Sequence, residues 1–168
     1  MGNVMNKVLP GLYLGISTDA KDPDQLSGNK ITHIISIHEF LQPLLQDIMC
    51  LQIPVPDTPE ILIKKQFKEC INFIHYCHLS GGTCLMWCFV GISQSATIVS
   101  AYVMTVIGLG WCQVLGAVKV VLSIANPNPC FKQQLEEYDW ALGVDPEASQ
   151  AIREKGAPKI WSWIRPWR

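Results

Sequence analysis

TCLMWCFVGISQSATIVSAYVMTVI, residues 83–107, is the stretch on which the fold turns. Residues 83–87 form a short apolar run suited to one buried strand, and residues 95–107 are apolar on nearly every side, as in a buried helix. Between them Cys88, Phe89, Val90, Gly91, Ile92, Ser93 and Gln94 make a tight connection. A loop placed so aims successive backbone N–H groups and the positive end of the helix dipole at one point, a cradle for an anion such as phosphate. A cysteine opening that loop feels the same potential, which favours a nucleophilic thiolate. Taken alone, Cys88 also reads as a buried cysteine in a tight turn, the better reading for an arbitrary cysteine.

The flanking sequence alternates strands and helices. Residues 62–79 place Phe67, Cys70, Ile71, Ile74, Cys77 and His78 on one helical face. Residues 11–14, 31–37 and 50–55 are strand candidates, the last ended by Pro54, Pro56 and Pro59, and the polar residues 19–27 predict a short helix. Downstream come a helix over 111–122, a turn at Asn126-Pro127-Asn128-Pro129 and a helix over 131–140. This order predicts an α/β fold with a central, mostly parallel sheet and helices on both faces. The pattern stops past Gly143, so residues 1–142 are expected to form the domain and 143–168 a loosely ordered tail carrying Trp and Arg.

Composition narrows the classes. The 168 residues suit one domain; 49% are hydrophobic and only 16% charged, against about 25% in typical domains. A net charge of -1 and the lack of a basic motif disfavour nucleic acid. Residues 70–118 contain no Asp, Glu, Lys or Arg, and the arginines are Arg153, Arg165 and Arg168 alone. Residues 96–118 are long enough to span a bilayer, but Ser100, Thr105, Gly108, Gly110 and Gln113 interrupt them, which favours two core helices joined at Gly-Leu-Gly. Seven cysteines without metal-ligand spacing and without a cleavable signal peptide predict a reducing, cytoplasmic setting with no metal and no cofactor.

Residues 87–95 resemble the signature loop of cysteine-dependent protein phosphatases, His-Cys-x-x-Gly-x-x-Arg-Ser/Thr, with Cys88, Gly91 and Ser95 in register. MGNVMNKVLPGLYLG at 1–15, NKITHIISIHE at 29–39, KKQFKECINFIH at 64–75, AYVMTVIGLGW at 101–111 and ANPNPCFKQQLEEY at 125–138 extend the resemblance to the small atypical dual-specificity phosphatases. The resemblance implies that fold and a metal-free mechanism. In it Cys88 is the nucleophile, Asp57 in Val-Pro-Asp-Thr-Pro the acid, Ser95 the hydroxyl that stabilises the thiolate, and Asn128 the brace of the loop. Residues 88–94 would hold phosphate, and substrates would be phosphotyrosine, phosphoserine and phosphothreonine proteins.

Two departures fall on the loop itself: Gln94 stands at the arginine position and Trp87 at the histidine position. A guanidinium offers a charged, two-pronged donor that an amide lacks. Trp87 is expected to remove polar support near the thiolate and to crowd its surroundings. Leu122-Ser123 and Cys130 replace the family's Arg-Pro and Gly around the Asn-Pro-Asn turn, which puts the bracing by Asn128 in doubt. The expectation is a pseudophosphatase that binds phosphoproteins or partners of its active relatives; the alternative is a working phosphatase of low turnover, since Cys88, Asp57 and Ser95 remain. At the N-terminus, Gly2 resembles the family's myristoylated start, though Asn6 stands where the consensus has Ser or Thr, and would bring the chain to the cytoplasmic face of the plasma membrane. Three tryptophans and two arginines in residues 160–168 suit either a bilayer interface or docking on the domain itself.

Overall fold

The structure, a computed structural model, describes residues 5–38, 47–56, 58, 60–88, 93–123 and 125–142. Along the chain run β1 (Asn6–Leu9), β2 (Leu12–Gly15), α1 (Ser17–Ala20), α2 (Pro23–Gly28), β3 (His33–Ile37) and β4 (Met49–Ile53). A single 3-10 turn (Ile63–Gln66) then leads into α3 (Phe67–Leu79), followed by β5 (Cys84–Cys88), α4 (Ser93–Ile107), α5 (Trp111–Val121) and α6 (Pro129–Leu142). The strands form one sheet in the order β1-β2-β5-β3-β4, parallel except for the β1–β2 hairpin. That hairpin turns at Pro10-Gly11, where Gly11 takes φ 81°, a conformation that only glycine adopts without strain.

Strand β5 lies between β2 and β3 and is buried along its whole length. Its side chains alternate: Cys84, Met86 and Cys88 enter the larger core against α3, α4, α5 and α6, whereas Leu85 and Trp87 enter a smaller one with Met5, Ala20, Leu26, Ile31 and Ile34. Helices therefore cover both faces, as predicted, with short α1 and α2 on the second. The single helix expected over 19–27 is two, because the Asp22 side chain accepts from the backbone N–H groups of Asp24 and Gln25 and Pro23 opens α2, so a new helix starts there. Strand β1 was not anticipated; four residues without clear alternation carry too little signal.

Twelve residues of α4, Ser93 to Met104, are buried, so the helix is the axis of the larger core. It ends at Gly108, whose φ of 71° and N–H bond to Met104 O at 2.9 Å form a left-handed cap, and α5 starts three residues later. The apolar stretch 96–118 is thus divided between two helices, and among the described residues no helix is long and apolar enough to cross a membrane. Helix α6 begins at Pro129, two residues before its predicted start, because Asn128 Oδ1 accepts the Phe131 N–H at 2.9 Å and proline suits the first helical position.

One polar contact bridges the layers of the larger core. His78 Nε2 donates to Gly11 O at 3.2 Å, which leaves Nδ1 to accept the Tyr102 hydroxyl at 2.9 Å. Burial holds the pKa values of His33, His38 and His78 below the ordinary 6.5, with nearby Lys21 adding to the effect at His38. As pH falls through 6.5 the unfolded chain binds protons before the folded one does, so this stability is complete above that value and is lost below it. The urea midpoint is expected to be lower at about pH 5.5 than at about pH 7.5, and His78→Gln to flatten that difference.

Candidate active site

The carboxyl ends of the parallel strands gather the site, as is general for open α/β sheets. Cys88 ends β5 opposite Ile37 of β3, which is itself paired with Ile53 at the end of β4. The apolar environment of β5 buries the Cys88 side chain, and the first turn of α4 brings Ser95 Oγ to 3.2 Å from its sulfur. Either atom can donate in this contact; toward a thiolate the hydroxyl would do so. Four of the seven cysteines, Cys70, Cys77, Cys84 and Cys88, are buried. Burial pushes the thiol of Cys70 up to about 12 and those of Cys77 and Cys84 upward as well, which leaves these three as core residues.

Ser93, Gln94 and Ser95 are all buried at the start of α4. The Asn128 backbone N–H donates to Ser93 Oγ at 3.1 Å, so the turn before α6 is tied to the first residue of α4. Gln94 is 2% exposed, and its Nε2 donates to Val55 O at 2.8 Å. A buried amide without a partner costs about 1–3 kcal/mol, and the Val55 carbonyl, just past the end of β4, meets that demand. Sequence reasoning treated Gln94 only as a poor phosphate ligand and missed this bond, because nothing local to residue 94 points to a carbonyl 39 residues away.

Trp87 is buried, as a large ring in packed surroundings. It faces the smaller core, on the side of β5 opposite Cys88, with its ring tilted 37° to that of His38 at a centroid distance of 4.9 Å. Its Nε1 is buried and has no hydrogen-bond partner among the described residues. The ring therefore packs in the second layer, and Cys88 in the first. Asp57, Phe89, Val90, Gly91, Ile92, Gly2 and residues 143–168 lie outside the described residues.

The family described as "Dual specificity phosphatase, catalytic domain" matches residues 12–140. The chain is 70% identical to mouse dual specificity protein phosphatase 15 over 141 residues, which cover 84% of this chain and 60% of the relative, so it spans about three fifths of that protein's length. It is 42% identical to human dual specificity protein phosphatase 22, with 98% of this chain and 99% of the relative covered. A crystal structure of DUSP15 superposes with a TM-score of 0.82 at 63% identity, covering 94% of this chain and 99% of that one.

The geometry separates two neighbours of the thiol. Ser95→Ala is expected to slow alkylation of Cys88 by iodoacetamide at neutral pH about tenfold, through loss of a hydrogen bond to the thiolate. Trp87→Phe should leave that rate within about twofold, since the ring faces the other core. Mass spectrometry of the peptide containing residue 88 reads both.

Proposed function

The chain belongs to the dual specificity phosphatase family, and from that premise we propose a pseudophosphatase, a phosphatase domain of strongly reduced turnover that acts chiefly by binding phosphorylated tyrosine, serine or threonine on protein partners. The observation that carries the reading is at residue 94. Where the family's loop has a guanidinium, this chain has a buried neutral amide anchored to the Val55 carbonyl. The stretch 70–118 supplies no other cation. In this reading phosphate would meet backbone N–H groups and the N-terminus of α4 without a charged, bidentate partner, enough for weak binding and poor support of the transition state.

A second reading, a slow phosphatase, is favoured by the 3.2 Å contact between Cys88 and Ser95. In it the Cys88 thiolate attacks phosphorus and forms an S–P bond while the P–O bond to the leaving group breaks. The proton of Asp57 passes to the departing oxygen. Water then attacks the phosphocysteine, gives a proton back to the Asp57 carboxylate and releases phosphate with the thiolate restored. No metal takes part in either reading.

Hydrolysis of 4-nitrophenyl phosphate by the full chain, run beside Cys88→Ser, decides between them. Turnover is expected close to that of Cys88→Ser, and Gln94→Arg is expected to raise it at least about 10²-fold. Unaltered chain turning over far above Cys88→Ser would establish the second reading, and an inert but folded Gln94→Arg would remove residue 94 as the cause.

Membrane attachment through a myristoylated Gly2 is part of the proposal. One acyl chain gives only marginal binding, so the basic, Trp-containing residues 160–168 would be the second anchor. Labelling with an alkyne myristate in cells is expected to mark the chain and to be abolished in Gly2→Ala.

A further inference from the structure

Two buried glutamine amides grip the two ends of one segment. Upstream, Gln94 Nε2 of α4 donates to Val55 O at 2.8 Å. Downstream, Gln134 of α6, 6% exposed, makes a pair of bonds: its Nε2 donates to Ile61 O at 2.9 Å and its Oε1 accepts the Lys64 N–H at 2.9 Å. Between the grips the Ile61 N–H donates to Thr58 O at 3.2 Å, and just beyond them Lys64 Nζ reaches Glu137 Oε2 at 2.7 Å on the exposed flank of α6. The same α6 starts at the Asn128 cap whose backbone N–H holds Ser93. Helices α4 and α6 thus hold both the start of the helix behind Cys88 and the two ends of the segment 55–61.

We infer that Gln94 and Gln134 are positioning residues that together set the segment 55–61 against Cys88, Gln94 acting as an anchor for that segment in place of a phosphate ligand. The inference rests on the reading that Asp57, within the segment, is the proton donor to the leaving group. Each amide is buried, bonds to backbone and so holds the chain whatever side chains the segment carries. An aliphatic residue at either position would fill the space and release its end of the segment.

Hydrogen exchange on the full 168-residue chain measures the brace directly. In Gln94→Met, peptides within 54–62 are expected to exchange about tenfold faster, with the Lys64 amide unchanged; in Gln134→Met both regions speed up. The near-isosteric Gln94→Glu and Gln134→Glu remove the amide donor with little change of volume and serve where a Met variant fails to fold. Unaltered exchange in the variants at both positions overturns the brace.

Positioning is read in the Gln94→Arg background by comparing phenyl phosphate with 4-nitrophenyl phosphate. Phenoxide is the poorer leaving group and depends more on a proton from Asp57, so Gln134→Met is expected to lower phenyl phosphate turnover about fivefold more than 4-nitrophenyl phosphate turnover. An equal fall with both substrates means that Gln134 only supports the fold and overturns the positioning role. If Gln94→Arg hydrolyses neither substrate in a folded chain, residue 94 is not the cause of the low turnover, the role of Gln94 and Gln134 in placing Asp57 falls, and the exchange measurement alone decides whether the brace exists.

Discussion

Burial of β5 on both faces is the constraint from which the rest of the structure follows. A strand in that position divides its side chains strictly between two cores, so one residue decides one layer and its neighbour the other. Cys88 and Trp87 are adjacent in sequence and serve different layers. The sulfur meets the first turn of α4, and the indole packs near α1, α2 and His38. A replacement next to Cys88 can therefore leave the sulfur's immediate partners in place.

Because the larger core is nearly free of charge, most of its polar side chains bond to one another or to the backbone, Ser100 Oγ being the exception among the described residues. Thr97 donates back to Ser93 O at 2.7 Å, His78 joins Tyr102 to Gly11, and Gln94 reaches Val55. In low-dielectric surroundings such bonds hold position strongly, because breaking one strands a buried polar group. An amide is a good anchor in such a place and a poor substitute for a guanidinium facing phosphate. In the proposed reading, the residue that weakens the phosphate site is also the one that anchors the backbone at Val55.

The sequence was most legible where a pattern was long. The helical face of residues 67–78, the apolar run of α4 and its break at Gly108, and the strands at 33–37 and 49–53 all follow from periodicity and glycine chemistry. Short elements were less legible: β1 has four residues, and the division of 17–28 into two helices depends on the cap at Asp22. Cys88 and Ser95 lie seven positions apart, and their meeting is what the family resemblance implies. The partners of Gln94 and Gln134 are 39 to 73 positions away, beyond the reach of any local signal.

By itself, the sequence determined the class of fold, through the order of its elements, and the absence of a cation from residues 88–94, through residue type alone, while the family followed from resemblance along residues 1–140. Only the tertiary structure decided which core Trp87 enters, what Gln94 bonds to, and that α6 ties Ser93 at one end and residues 61–64 at another. The physical reason is that a buried hydrogen-bonding group takes whichever partner the packed layers bring within reach, and that partner exists only once strands and helices from distant parts of the chain have assembled.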